Sequence, residues 1–580
     1  MDHRKLSAAL AGAYQRFEDQ GRPGLGSHAA LMGLVTVTEP ARPARAVVFL
    51  RGTDPDALDR VRCQGLEMNQ GSGQVRTGII DFDAIETVTA EPALGQIVVS
   101  HRLRTLMDVA PGKVGVPAFV DGADLDGSGV VVGVVDTGID PRHPAFQGRI
   151  ERIWDQTLRG SGVPEGRYGV ELSGNRLIES RDVHGHGTHV AGIAAGADAS
   201  YPGIAPRARL VIVKTTLMDA HIADGVRYCF RLASDLGLPA VVNLSLGGHA
   251  DPHDGTDPLS AILDAESGPG RIAVCAAGNE GNDAIHASAR VPDGGQRSLA
   301  CVATGPFEIN GWYAGEDEME LSVAGPSGAA TPYQPVIVAG SPVRRYELPD
   351  GAVQVTTPGP DPVNGDHQVV IVAEPADGAV PAPSRIWRIR FRGVGVTNGR
   401  VDAWVLSSRR QPAQFTGRYA EDAVKVGSPG CATDAITAAA YTTRTTWTDI
   451  DGQRQQVGFE TDDISDFSSE GPRRDGHSKP DVAAPGAMIA ASLSRDADFD
   501  RRWVIDTERV MQAGTSMASP FLAGVVALLL QQEPTLEPAK ARQRLVAASR
   551  VPGGRAGNFD RKWGYGLLAV DRLARSGTEG

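Results

Sequence analysis

Three segments of the 580-residue chain hold residue types that can do chemistry together. The first, VVVGVVDTGIDPRHP, is an apolar run that delivers Asp136. A carboxylate at the end of a buried strand can orient a histidine, or it can share a proton with a second Asp-Thr-Gly loop as aspartic proteases do. No second Asp-Thr-Gly occurs, so that dyad falls away, and alone Asp136 reads as a structural carboxylate. The second, HGHGTHVAGIAAG, sets His184, His186 and His189 before a small-residue stretch fit for a tightly packed helix. Its H-x-H spacing, with Asp182 nearby, can present zinc ligands. Equally, one imidazole can act as a base if a carboxylate fixes its tautomer and a hydroxyl is within reach. The segment alone leaves both open. The third, GTSMASPFLAGVVALLL, puts Ser516 at the mouth of a long apolar helix. Unpaired N–H groups and the positive dipole end there suit a serine whose attack creates an oxyanion. Ala518 stands where the G-x-S-x-G elbow of α/β-hydrolases has its last glycine, and the order Asp, His, Ser is neither theirs nor chymotrypsin's.

Two further segments are ambiguous alone. NLSLGG carries Ser245, Leu246 and Gly247 just past a strand and reads as a strand-to-loop turn. CAAGNEG puts Asn279 after a buried strand and reads as a turn asparagine before Gly281. In order, however, the Asp, His and Ser segments resemble the three boxes of the subtilisin-like (S8) serine peptidases, over about residues 114–303 and 428–571. That resemblance implies a serine endopeptidase in which Asp136 orients the imidazole, His186 is base and acid, and Ser516 attacks the carbonyl. It also implies that Asn279 completes the oxyanion hole and that Ser245, Leu246 and Gly247 form the edge on which a peptide adds as a strand. His189 is then a packed helix residue and His184 a solvated loop residue. An imidazole base predicts activity falling below about pH 6. RIWDQTLRG, YGVEL and the inserted segment between the His and Ser boxes resemble the clostridial germination-protease branch, which carries a jelly-roll insertion.

The elements that must position these residues are legible as apolar patterning. β-branched runs at Val130–Val135, Leu210–Val213, Ala240–Leu244 and Ile272–Ala276 alternate with helical stretches, the mark of a parallel sheet covered on both faces. The pattern breaks near Gly305 and resumes near Ser428. Between them, alternations at Val369–Ala373, Arg385–Arg392 and Val401–Leu406 predict an inserted antiparallel β module. Upstream, Leu6, Leu10, Tyr14 and Phe17 mark a short helix. Strands around Val47–Leu50, Val75–Ile80 and Ile97–Ser100 with two intervening helices, the first starting at Asp54 as N-cap, make an α+β unit. The expected organisation is a helical segment at 1–43, the α+β unit at 44–112, an α/β domain in two parts at 113–304 and 428–580, and the β module at 305–427.

The fold class is therefore α/β: a subtilisin-like parallel sheet with helices on both faces, a jelly-roll-like insertion, and an N-terminal unit resembling the family's ferredoxin-like propeptide. That last resemblance implies self-cleavage between about Ser100 and Gly112, ahead of VGVPAFV.

Composition narrows the partners. The formal net charge is -13 with no acidic or basic block, which argues against nucleic acid or a membrane surface, and the resemblance implies a protein or peptide substrate. No purely apolar run approaches the roughly 20 residues of a membrane span, and the N-terminus is not a recognisable secretory signal, so a cytoplasmic protein is expected. The five cysteines are scattered singly, as reduced core residues are. The resemblance implies no cofactor for the chemistry. Structural calcium is common in the family, but no ligand set can be placed here, and the Asp251, Asp254 and Asp257 loop reads as a solvated acidic loop. The rival readings are a catalytically retired scaffold that binds a partner, and a zinc hydrolase built on the histidines.

Overall fold

The computed structural model describes residues 2–25, 34–35, 44–54, 56–71, 73–101, 104–105, 116, 119–120, 124–335, 342–376, 385–408 and 410–574. They fall into two compact units. Met1–Arg102, His249–Pro252 and Asp283–Ala423 form one, and Leu103–Gly248, His253–Asn282 and Val424–Gly580 form the other.

The second unit is built on a ten-stranded sheet. Its inner strands run parallel in the order Val482–Ala487, Ile436–Thr442, Arg271–Ala276, Ala240–Leu244, Val131–Asp136, Arg209–Lys214 and Ile150–Asp155. Val131 lies opposite both Arg209 and Ala240, so the strand that ends on Asp136 is central, and all six of its residues are buried. Alternation assigns its two faces. Val132 and Val134 join Ile212, Val241 and Val274 in a core shared with the helices His186–Ala195 and Thr515–Gln532. The opposite face meets the helix Asp219–Asp235, where a Cβ on Gly133 would stand 3.0 Å from Cys229 and Val242, and one on Gly225 3.1 Å from Val135 and Val213. Glycine at both positions lets helix and sheet approach. Thr515–Gln532 has the length and apolarity of a membrane span, yet 89% of it is buried inside the protein, as a core helix is.

The first unit has two parts. Strands Arg45–Gly52, Leu66–Met68, Val75–Asp81 and Leu94–Val99 with helices Ala57–Arg60 and Ile85–Thr89 follow the order β-α-β-β-α-β. In space the strands lie Leu94–Val99, Arg45–Gly52, Val75–Asp81, Leu66–Met68, all antiparallel, which is the split βαβ arrangement. Asp54 does not cap the first helix. The N-cap is Asp56, while the Asp54 carboxylate closes a local turn on the Asp56 N–H at 3.0 Å and pairs with Arg60; Pro55 lies outside the described residues.

The other part is a sandwich of antiparallel sheets, six-stranded and five-stranded, whose facing residues form one core. Two of its strands, His286–Arg290 and Gln296–Ala303, precede Gly305 in the chain. The helix Ala8–Gln20, capped by Ser7, lies on the outer face of the six-stranded sheet: Ala8 packs with Val370 and Val372, and buried Arg16 donates to Gln354 at 2.7 Å and to Glu374 at 2.8 Å. The described cysteines are all free thiols, four buried and Cys63 half-buried.

Candidate active site

Asp136 closes its strand, and the chain then turns so that the start of the helix His186–Ala195 packs against the strand end. Nδ1 of His186 lies 2.6 Å from Oδ1 of Asp136, so the carboxylate accepts from Nδ1–H and leaves Nε2 as the basic nitrogen. Oδ1 also accepts from the Thr137 N–H at 2.7 Å, and Oδ2 has no hydrogen-bond partner among the described residues.

Asp182, weighed from sequence as a metal ligand, instead splints this junction. Its Oδ1 accepts from the Gly185 N–H and the Thr137 hydroxyl, both at 2.9 Å, and its Oδ2 from the Thr188 N–H at 2.8 Å and the Thr188 hydroxyl at 2.7 Å. Thr137 in turn accepts from the Gly187 N–H at 2.9 Å. Strand end and helix start are thereby tied on both sides of the imidazole. A Cβ on Gly187 would fall 2.2 Å from the Gly138 carbonyl oxygen, which explains the glycine after His186.

His189 is buried one turn on, its Nε2 3.2 Å from the Ile489 and Val510 carbonyls. Burial, with His186 nearby, pushes its pKa down to about 3, so it stays neutral. His184 is exposed, its ring 6.1 Å from that of His186. Among the described residues no group of three or more His, Cys, Asp or Glu is disposed to hold a metal.

Ser516 sits in the first turn of Thr515–Gln532, where backbone N–H groups have no helical acceptor. Pro520 lies four residues on and lacks an N–H, so the Ser516 carbonyl loses its helical donor and accepts from Ser245 Oγ at 2.6 Å instead. Ser245 Oγ accepts from Asn243 Nδ2 at 2.8 Å, and Asn243 Oδ1 accepts from Ser519 Oγ at 2.7 Å. This buried chain bolts the helix start to the end of strand Ala240–Leu244. Ser516 Oγ itself donates to the Ser245 carbonyl at 2.8 Å, at the end of the Ser245–Gly247 edge.

Asn279 is brought to the same helix start. Its Oδ1 accepts from the Thr515 N–H at 2.9 Å and the Thr515 hydroxyl at 3.0 Å, which fixes the amide and turns Nδ2 away from Thr515. The loop is held from behind: the Ser469 N–H donates to Gly278 at 3.0 Å, and fully buried Lys425 donates to Gly281 at 2.7 Å. A Cβ on Gly281 would lie 2.4 Å from the Ser468 carbonyl.

Leu246–Gly247 pairs antiparallel with Arg104–Thr105, a short strand of the same chain, with Leu246 opposite Thr105 and Gly247 opposite Arg104. The side chains of Asp136 and His186 are 0% exposed, and Ser516 likewise. Asn279 is half-buried.

The aspartates beyond that edge are not solvated as the sequence suggested. Asp254 accepts from the Thr256 N–H and hydroxyl and pairs with Arg474 at 2.8 Å. Asp257 caps the helix Pro258–Glu266 through the Ser260 N–H and accepts from Ser428 at 2.8 Å, and burial raises its pKa. Asp251 is buried too, in the other unit, where its carbonyl accepts from Asn310 at 2.7 Å. Ion pairing engages the Asp254 carboxylate and helix capping that of Asp257. A sequence cue existed in Asp257-Pro258, an N-cap followed by proline at N1.

A parallel sheet that gathers a buried aspartate–histidine pair and a serine on the first turn of a helix defines the subtilisin-like class. The chain belongs to the subtilase (Peptidase S8) family, whose profile matches residues 127–339 and 415–566, more than half of it. It is 33% identical over 204 residues to serine protease AprX of Bacillus subtilis, covering 32% of this chain and 42% of that one. Subtilisin-like protease PopC of Myxococcus xanthus is 28% identical over 349 residues, 52% of this chain and 68% of that one. The chain spans less than half the length of AprX and of subtilisin-like protease 9 of Arthroderma gypseum, which is 33% identical over 213 residues. Among solved structures, the fold resembles the Clostridium perfringens CspB protease, with a TM-score of 0.67 and 23% identity, over 80% of this chain and 97% of that one.

Proposed function

We propose that this chain is a serine endopeptidase that works through an acyl-enzyme on a protein or peptide substrate. The observation that carries the reading is the 2.6 Å Asp136–His186 bond, with the helix that bears His186 packed in one core with the helix that bears Ser516. In this mechanism Nε2 of His186 takes the Ser516 proton as Oγ attacks the scissile carbonyl. The oxyanion is met by the Ser516 N–H and Asn279 Nδ2, and His186 then protonates the leaving amine. The substrate lies extended along Ser245–Gly247, exchanging backbone hydrogen bonds as an added strand.

The form described is latent. A water-inaccessible Ser516 and a strand of the chain's own, Arg104–Thr105, on the substrate edge support a precursor whose linker occupies the place of a substrate. We assign self-cleavage to a bond just past Thr105, inside the Ser100–Gly112 span. The enzyme's proposed task is the processing of a particular protein or peptide precursor. The insertion between the His and Ser boxes, and the fold it shares with the CspB protease, favour a place near that branch.

The test is N-terminal sequencing and intact mass of the purified chain beside Ser516→Ala. The wild type is expected to lose about its first 105 residues and the variant to stay whole. A processed Ser516→Ala chain would assign the cut to another protease.

A further inference from the structure

The outer face of the five-stranded sheet carries charge that the active site does not use. Its central strand, Ile386–Gly395, alternates strictly: Trp387, Ile389 and Phe391 enter the core, so Arg388, Arg390 and Arg392 stand on the opposite face. Arg392 is engaged, donating to Glu320 at 2.8 Å and lying 4.2 Å over the Tyr333 ring. Arg388 and Arg390 have no carboxylate partner among the described residues, and Arg388 is exposed. Their cross-strand neighbours are small. Arg388 lies opposite Ala300 and Ala324, and Arg390 opposite Ser298 and Ser322. Ser322 donates to the Thr331 carbonyl, whereas Ser298 Oγ, on the same face as Arg390, is buried with no partner.

Among the described residues, these two guanidinium groups make a set of donors with no carboxylate acceptor, Arg388 exposed and Arg390 half-buried. On a chain of net charge -13 an acidic partner is repelled elsewhere, so it is focused here. Alternate residues of a strand recur about every 6.7 Å, and so do alternate side chains of any extended peptide laid along it. Carboxylates match the guanidinium fork in two-bonded geometry. Two cations are too few for a phosphate polymer, whose affinity rests on roughly 6–10 neutralised phosphates.

We propose that Arg388 and Arg390 form a docking exosite for an extended protein segment with acidic residues at alternate positions. The inference rests on the peptidase reading only in calling that segment part of a substrate.

The experiment uses the full chain carrying Ser516→Ala, so binding is read without hydrolysis. A fluorescent peptide with glutamate at every second residue, and its glutamine counterpart, are titrated by anisotropy at low and high salt. The glutamate peptide is expected to bind at least about tenfold tighter than the glutamine one at low salt, and to lose that advantage as the Debye length shrinks to about 3 Å in about 1 M salt. Arg388→Glu/Arg390→Glu abolishes the advantage, and the milder Arg388→Gln/Arg390→Gln reduces it. In the nucleophile-intact enzyme the Gln pair leaves kcat/KM on a short uncharged peptide unchanged while raising KM for a protein with an acidic stretch. Equal binding of the two peptides, binding indifferent to both arginine pairs, or capture of a heparin fragment but not the glutamate peptide each overturns the exosite. Loss of hydrolysis with peptide binding intact would instead count against the peptidase reading alone.

Discussion

Buried polar groups around Ser516 and His186 are treated in the opposite way from one buried carboxyl of the β module. In the catalytic unit they close into chains that end on reacting atoms: Ser519 to Asn243 to Ser245 to the Ser516 carbonyl, and Thr137, Asp182 and Thr188 around His186. In the β module Glu308 is buried on the strand Phe307–Tyr313 with no ion pair among the described residues, and burial pushes its pKa up to about 7. A closed network holds atoms still, which chemistry needs. A lone buried carboxyl fixes nothing and makes the unit's stability depend on pH.

The comparison breaks most sharply at the nucleophile. Ser516→Ala is expected to lower kcat by about 10⁶, the loss measured when the relative subtilisin loses its serine. Steady-state hydrolysis of a fluorogenic peptide by the processed wild type, and by the variant after an added and then inactivated protease has removed its N-terminal residues, checks this, and retained turnover would move the nucleophile elsewhere. Next comes Asn279→Ala. With Thr515 no longer holding an amide and one oxyanion donor gone, kcat should fall about 10²–10³-fold with KM little changed. A rise in KM alone would make Asn279 a substrate-binding residue.

Further down the scale, Asn243→Ala removes the donor to the Ser245 hydroxyl and the carbonyl that accepts from Ser519 in a buried site, at a cost of about 1–3 kcal/mol in urea unfolding. Because the Ser516 carbonyl is held through Ser245, kcat should drop as well. A variant with normal stability and rate would make the chain ornamental.

Glu308 sharpens the contrast from the other side. Its native pKa is above the unfolded value, so its neutral form adds stability below about pH 4.5, and that stability is lost as pH climbs through about 7. The melting temperature of the unit should fall between about pH 5 and pH 8, and Glu308→Gln should flatten the fall by at most about 3 kcal/mol at the alkaline end. An unchanged slope would mean the carboxyl stays solvated. Smallest of all, chelation should leave kcat as it is, whereas a zinc hydrolase would stop.

What the sequence revealed follows the same division. Asp136, His186, Ser516 and Asn279 stood out as candidates because each proposed role admits few residue types and each sits in a short box with its own glycines. The parallel strands were legible because a sheet covered on both faces needs unbroken apolar runs, and the module because one-sided burial forces alternation, as in RIWRIRFR. The supports were not. Asp182, Asn243, Ser519 and Lys425 are ordinary polar residues with partners on distant stretches of chain, as Thr137 is to Asp182, Ser519 to Asn243 and Gly281 to Lys425. Only Pro520 hinted that the Ser516 carbonyl needs an outside donor. The Asp251–Asp257 loop misled because composition shows charge but not the caps and cations that bury it.

The most direct test is a fluorophosphonate probe read by intact mass on the wild type, before and after the N-terminal residues are lost, with Ser516→Ala alongside. The account predicts no adduct on the whole chain, where Ser516 is inaccessible, one adduct on Ser516 in the processed chain, and none on the variant in any form. A processed wild-type chain that takes no probe, or an adduct that persists in Ser516→Ala, would contradict it.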